Sequence, residues 1–214
     1  MIIDVWADVV CPWCYIGKRR LEKAIEQFPH KDQLVIRHRA FQLQPDAQGI
    51  TPTKDYLSEK YNIAPEQVDA MQANVCAVAD GEGLCYNLEG TLTGNTFNAH
   101  RLLLWATQFG KQDELLEKLF KNYFELNIPV FDDSDLMVAA VSVGLDETAT
   151  RDFLTGSEFT SEVVEDRKLA AQLGANGVPF FVFNMSYGIS GAQPLEVFSK
   201  TLEQAWAEFA LTQQ

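Results

Sequence analysis

The sequence predicts an α/β fold whose sheet is interrupted by a long helical insertion. Three observations carry this. Residues 2–43 read as strand, helix, strand. Residues from about 51 to 174 keep a helical period nearly throughout. The pattern returns to strand near 178 and closes on an amphipathic helix. The expected α/β domain is therefore discontinuous, formed by residues 1–50 and 175–214, with residues 51–174 as an all-helical insertion domain.

Each element has a local reason. Ile2, Ile3, Val5, Trp6 and Val9 form a short apolar run over residues 2–9 that stops at a Cys-Pro turn. Leu21, Ala24, Ile25 and Phe28 then recur at i, i+3, i+4, i+7, and Pro29 ends the helix. Residues 34–43 read as a second strand, stopped by Pro45 and Gly49. A strand-helix-strand order favours a parallel pair with a right-handed crossover. Within the insertion, Leu115, Leu116, Leu119, Phe120, Tyr123 and Phe124 make one apolar stripe, and residues 136–143 make another. Asn95, Asp146 and Ser157 are expected helix caps. Residues 178–183 (Val-Pro-Phe-Phe-Val-Phe) are continuously apolar, as in a strand buried on both faces. Residues 184–187 can turn it back into a strand over 187–192. Leu195, Phe198, Leu202, Ala205, Trp206 and Phe209 share one face of the last helix.

Composition narrows the function. A hydrophobic content of 47% with 22% charged residues fits a globular protein. The net charge of −13 repels nucleic acid and anionic membrane, so neither is an expected partner. No apolar run approaches the ~20 residues that span a bilayer. Residues 1–8 lack a basic segment followed by a long apolar one, so no signal peptide is expected and the expected location is the cytoplasm. Four cysteines in this length do not make a disulfide scaffold, which shifts weight to reactive roles.

Cys11-Pro12-Trp13-Cys14 sits between the first strand and the first helix. Two cysteines at this spacing can cycle between dithiol and disulfide. With Cys11 as N-cap, Pro12 falls at N1, where its missing N–H costs nothing. First-turn N–H groups, including that of Cys14, are then expected to face the Cys11 sulfur and favour thiolate, helped by the helix dipole. Cys11 is the expected exposed nucleophile and Cys14 the buried resolving thiol. Pro12 and Trp13 tune the pair. The competing reading is half of a zinc site. The other cysteines, Cys76 and Cys85, lie nine residues apart and the three histidines are scattered, so redox is preferred and no metal is expected. Gly177-Val178-Pro179 opens the buried strand. Val178-Pro179 is a candidate cis bond, the alternative being a trans proline that starts an edge strand.

This order of motifs resembles the thioredoxin superfamily, in particular its DsbA branch with a helical insertion and, within that, the FrnE-like group. Residues 8–17 (Asp-Val-Val-Cys-Pro-Trp-Cys-Tyr-Ile-Gly), 95–101 (Asn-Thr-Phe-Asn-Ala-His-Arg), 177–181 (Gly-Val-Pro-Phe-Phe) and 189–193 (Ile-Ser-Gly-Ala-Gln) look like that group's signatures, and the likeness spans essentially the whole chain. The resemblance implies a thioredoxin-like fold and a thiol–disulfide oxidoreductase acting through a mixed disulfide, with no cofactor. It implies that Val178 pairs with substrate backbone while Pro179 faces Cys11. Kappa-class glutathione transferases and 2-hydroxychromene-2-carboxylate isomerases look similar here but carry serine where this chain has Cys11. Cys11 thus argues against transferase or isomerase as the main activity, while glutathione stays open as substrate or reductant; the resemblance implies that Val178, Ser190 and Gly191 hold its backbone, the alternative being plain strand and turn structure, which is the preferred reading for Gln193. A non-catalytic redox-sensing or chaperone-like module is the rival from another class. The expected partners are protein or glutathione thiols and disulfides, and the chain is expected to be a monomer or a homodimer.

Four features stay open at this level. Asp4 and Asp8 are the candidates for a buried carboxylate behind the cysteines, and no relay is assigned to either. His100 either modulates the thiolate or is a satisfied structural histidine beside Arg101. Cys76 and Cys85 flank a turn and form either a second redox pair or two free thiols. Lys18-Arg19-Arg20 is expected to be a solvated helix face.

Overall fold

The computed structural model describes residues 1–212. Strand β1 (Ile2–Ala7) leads through helix α1 (Pro12–Glu26) to β2 (Val35–Ala40), which pairs parallel to β1. The helical segment follows: α2 (Thr53–Tyr61), α3 (Pro65–Gly81), α4 (Phe97–Ala106), α5 (Gln112–Phe124), α6 (Asp133–Ser142), α7 (Glu147–Thr155) and α8 (Thr160–Gln172). Two minimal strands within it, β3 (Thr51–Pro52) and β4 (Leu92–Thr93), pair antiparallel. The segment is therefore not all helix. The hairpin β5 (Phe180–Phe183) and β6 (Tyr187–Ser190) then completes the main sheet, and α9 (Leu195–Leu211) closes the described chain.

The main sheet has the order β2-β1-β5-β6, with β5 antiparallel to β1. Strands adjacent in space thus come from the two ends of the sequence. All four residues of β5 are buried, as its unbroken apolar run requires. Strands β2 and β5 are shorter than their apolar runs. After Ala40 the chain leaves the sheet because the Leu43 N–H turns to the Asp8 carboxylate at 2.7 Å. Val178 and Pro179 form a corner ahead of β5 rather than its first rungs.

There are two larger cores and a smaller one, in which Trp6, Phe180 and Val182 of the sheet face opposite Phe181 and Phe183 meet Ala170 of α8. Of the larger two, one joins α1, α9 and one sheet face through Ile3, Leu21, Phe181, Phe183, Phe198 and Leu202. The other runs without a break from Val9, Cys11, Cys14 and Tyr15 into Leu102, Leu115, Leu119, Phe120, Phe124 and Leu136 of the helical segment. The helices therefore pack directly on the Cys-Pro-Trp-Cys turn. The apolar stripe of α5 is buried as read, whereas the second stripe is only half so: Leu136, Ala139 and Ala140 are buried, but Val138 and Val141 face solvent.

Three sequence expectations need correction. Of the three expected caps, Asp146 caps α7 through the Ala149 N–H at 2.8 Å, but α8 begins after Phe159 and not at Ser157, and the N-cap position of α4 is Thr96. Asn95 acts one residue earlier: its side chain accepts from the Phe97 N–H and from Gln42 and donates to the Pro45 carbonyl, which ties α4 to the loop after β2. The Lys18-Arg19-Arg20 run is not a solvated face. Lys18 is buried among Glu22, Asp113 and Glu117, Arg19 pairs with Glu22 and Glu117, and Arg20 bonds Glu82 and the Ala192 carbonyl. These ion pairs clamp α1 to α5 and to the end of α3.

Candidate active site

Cys11 is the N-cap of α1 with extended backbone (φ −94°, ψ 111°), and Pro12 takes the first helical position. Both Cys11 and Cys14 are free thiols. The Val178–Pro179 peptide is cis. It places the Val178 carbonyl 3.6 Å from the Cys11 sulfur, which donates to it. Residues from the two ends of the chain thus meet at one sulfur, as the parallel β1–β2 pair and the β5 insertion beside β1 require.

The family follows from comparison of the whole chain. The model of the DSBA-like thioredoxin domain matches residues 2–203. The chain belongs to that family. Its structure is similar to that of a probable DsbA oxidoreductase from Streptomyces coelicolor, with 43% identity, a TM-score of 0.93, and coverage of 97% of this chain and 91% of the other. It shares its fold with a 2-hydroxychromene-2-carboxylate isomerase (18% identity, TM-score 0.73, 98% of each chain covered). It also shares its fold with the cytosolic disulfide reductase DsbM of Pseudomonas aeruginosa solved with GSH (15% identity, TM-score 0.67, 97% of this chain and 100% of the other).

In this DsbA-like chain the N-terminal turn of α1 differs from expectation in two ways. The Cys14 N–H bonds the Cys11 carbonyl at 2.9 Å, and the Cys11 side chain accepts no cap hydrogen bond. Cys11 is also less open than expected, at 5% exposure against 2% for Cys14. The asymmetry between them lies in what they face. Cys11 lines a cleft and Cys14 does not. The Cys14 thiol is pushed well above its usual range, first by burial, then by the neighbouring Cys11 and by the Asp8 charge.

The cleft lies between the turn and the helical segment and holds about 1000 Å³ of empty space out to its mouth. Cys11, Pro12, Trp13 and Val178 form its floor, and Leu57, Met71, Val75 and Leu88 are among its apolar walls. Two residues that carry no signal in the sequence matter here. Lys60 on α2 is the one charged side chain among the lining residues. Burial works against its ammonium, but Tyr56, Tyr61 and the nearby Cys11 outweigh that and raise its pKa. Tyr86 donates to the Pro12 carbonyl at 2.7 Å and stacks on Phe124 at 4.9 Å, so it braces the turn from behind.

The other candidates separate clearly. Asp4 is fully engaged: Arg37 reaches it at 3.0 and 2.9 Å and Arg39 at 2.8 Å. Asp8 is buried behind the turn. Its carbonyl accepts the Cys11 N–H at 3.0 Å and one carboxylate oxygen accepts the Leu43 N–H. Its other oxygen lies 3.4 Å from Nε2 of buried His100. Arg101 is structural, bonding the carbonyls of Gly156 and Glu158 at 2.7 Å each and lying over the Phe153 ring. Ser190 ends β6 with its carbonyl held by Gln193, and Gly191 adopts φ 78° while its N–H bonds the Pro179 carbonyl at 2.8 Å. Those contacts shape the corner beside the cis peptide. Cys76 is half-buried on α3 and Cys85 exposed beyond it, both as free thiols. Among the described residues no cluster of three or more His, Cys, Asp or Glu side chains could hold a metal ion, and no helix is long and apolar enough to cross a membrane.

Proposed function

We propose that this protein is a FrnE-like thiol–disulfide oxidoreductase in which Cys11 and Cys14 are the redox pair. The observation that carries the reading is the Cys11 sulfur at the helix N-terminus, against the Val178 carbonyl and open to the cleft. The Cys11 thiolate attacks a substrate disulfide. One substrate sulfur leaves with the electron pair and the other bonds Cys11. The Cys14 thiolate then attacks the Cys11 sulfur, closes the Cys11–Cys14 disulfide and releases the second substrate thiol. The substrate disulfide is reduced and the protein dithiol oxidised, and every step reverses when the oxidised protein meets a dithiol. Val178, half-buried and lining the cleft, is placed for its backbone to pair with an extended substrate that takes the place of the Cys11 contact, while Pro12 and Trp13 contact the substrate from the turn. The chemistry needs no cofactor or metal.

The cleft, with apolar walls and polar side chains among its lining, suits a small or extended substrate, and its one charged lining residue, Lys60, suits one bearing carboxylates, as glutathione does. The fold shared with a GSH-bound cytosolic reductase supports that choice and a cytoplasmic setting. A second reading, glutathione-dependent transfer or isomerisation of a small molecule, draws on the same cleft and on the isomerase of like fold. Catalytic reduction of insulin and of oxidised glutathione separates the two. The oxidoreductase loses both activities in Cys11→Ser. Retained isomerase or transferase turnover in Cys11→Ser would favour the second reading.

A further inference from the structure

Arg20 of α1 holds two parts of the molecule at once. Its Nε donates to Glu82, the C-cap of α3, at 2.6 Å. Its Nη1 donates to the Ala192 carbonyl at 2.6 Å and, more weakly, to the Gln193 carbonyl at 3.4 Å. Both partners are mostly buried, with the Arg20 side chain 17% exposed and that of Glu82 14%. Burial works against the Glu82 carboxylate, but Lys23 and Arg20 outweigh it and lower its pKa, so this anchor stays charged. A guanidinium can serve a carboxylate and a carbonyl together because its donors form a rigid fork.

The carbonyl it holds lies next to the site. Gly191 precedes Ala192, and its N–H bonds the Pro179 carbonyl at 2.8 Å. On the other side of Pro179, the Val178 carbonyl meets the Cys11 sulfur at 3.6 Å. Little ahead of this corner fixes it: among the described residues, the N–H groups of Asn176, Gly177 and Val178 make no backbone hydrogen bond. The corner therefore depends on the turn that follows β6. Gln193 bonds the Ser190 and Gly191 carbonyls from within that turn, which fixes its shape but not its place. The bonds from Arg20 reach it from α1, the helix that Cys11 caps. The Pro179 ring lies against Gly17 of the same helix, which stops the corner from moving inward, and Arg20 opposes its lifting away.

We propose that Arg20 is a positioning residue for the redox reaction: through the Ala192 carbonyl it keeps the 190–193 turn, and with it the Val178–Pro179 corner, where an extended substrate can pair beside Cys11. The proposal rests on the redox reading above. Arg20 touches neither sulfur, so its effect falls on substrates that use the corner and not on the reactivity of Cys11. Through Glu82 the same side chain ties the corner to α3, whose Met71, Gln72 and Val75 line the cleft. Two walls of the cleft are thus fixed relative to α1 by one fork.

The test compares two mixed disulfides that share a leaving group, in reduced protein with Cys76 and Cys85 replaced by serine. One joins thionitrobenzoate to the peptide Gly-Gly-Ala-Cys-Ala-Gly-Gly and the other joins it to 2-mercaptoethanol. In each, the Cys11 sulfur bonds the peptide or alkyl sulfur, and coloured thionitrobenzoate leaves with the electron pair. Only the first has backbone to pair with Val178. Arg20→Lys keeps the charge beside Glu82 but not the fork. It should raise the half-saturation concentration for the peptide at least about fivefold, with the limiting rate within about twofold and the rate with the small disulfide within about twofold. Glu82→Gln keeps an acceptor for Nε and should stay within about twofold on both. Amide exchange gives a readout that needs no substrate. The Gly191 N–H should exchange at least about tenfold faster in Arg20→Lys, while that of Phe181 in β5 changes by less than about threefold. An unchanged peptide half-saturation in folded Arg20→Lys, equal losses on both disulfides, or a peptide effect without faster Gly191 exchange overturns the proposal. So does a Gly191 amide that is unprotected in the parent, which decides the matter should the variant not fold. If the parent reacts with neither disulfide, the redox reading itself fails, and the Gly191 exchange still decides what Arg20 holds.

Discussion

Replacing Gly17 by alanine tests how tightly α1 is fitted to the cis-proline corner. A Cβ built there comes within 3.0 Å of Cζ of Phe181 and 3.1 Å of Cγ of Pro179. Neither neighbour yields easily. Phe181 is fully buried with its ring edge-on to Phe198 at 4.8 Å, and the proline ring is rigid. Overpacking a filled core costs about 1–3 kcal/mol. Gly→Ala inside a helix returns up to about 1 kcal/mol. With two rigid neighbours the cost falls in the upper part of that range, about 2–3 kcal/mol, so the net expectation is a loss of about 1–2 kcal/mol, or roughly 2–8 °C in Tm for a chain of this size. Gly81, at the end of α3, has open space around its Cβ position and serves as the control. Gly81→Ala should be neutral or stabilising. Thermal unfolding of both variants by circular dichroism at fixed pH measures the difference. Because Gly17 is one turn past Cys14, Gly17→Ala should also change the rate at which the Cys11 thiol reacts with dithiobisnitrobenzoate. Equal or higher stability than the parent, with an unchanged rate, would refute the reasoning.

Other predictions follow from the same geometry. Lys60→Met removes the lone charge of the cleft and should slow reduction of oxidised glutathione about three- to tenfold, while a neutral disulfide of hydroxyethanethiol loses less than twofold; equal losses for both would speak against an anion-selecting role. Tyr86→Phe deletes the bond to the Pro12 carbonyl and should cost about 0.5–1.5 kcal/mol in a denaturant titration. Lys18→Met should destabilise by about 1–2 kcal/mol at pH 7. Burial opposes ionisation of Asp113 and Glu117, but His38 and Lys18 for the first, and Arg19, Tyr15 and Lys18 for the second, outweigh it and hold both below the usual carboxylate range. Acids with depressed folded pKa values contribute stability above about pH 4, which is lost as pH falls through those values. The Lys18→Met deficit should therefore shrink between about pH 4 and 2; a deficit independent of pH would place its origin in packing. Most of Asp113 is solvated, so its share of that deficit is the smaller one.

Much of this molecule is legible in the sequence, and the limits have physical causes. Short apolar runs locate β1 and β5, and a 3.6-residue period locates α1, α5 and α9, because those strands are buried in the sheet and those helices bury one defined face. The Cys-Pro-Trp-Cys turn and Val178-Pro179 are visible because proline and cysteine leave local marks. Strand ends are less legible, since Leu43 leaves β2 for the Asp8 carboxylate, a contact between residues 35 apart. Ser157 looks like a cap but precedes the turn that Phe159 makes with φ 61°. Lys18 reads as surface until Asp113 and Glu117 arrive from α5 to bury it. Lys60 and Tyr86 sit in ordinary helical and loop contexts, and only the folding of α2 and the loop after α3 over Cys11 brings them to the site. The roles of Asp4 and Asp8 diverge for the same reason. Arg37 and Arg39 of β2 meet Asp4, while His100 of α4 meets Asp8.

The most direct test of the central claim is equilibration of the protein in glutathione redox buffers, followed by acid quench and mass spectrometry of all four cysteines. The account predicts that Cys11 and Cys14 pair with each other, with Cys11 as the site of any trapped glutathione adduct in Cys14→Ser. Cys11 and Cys14 remaining unpaired across the whole buffer range would contradict it.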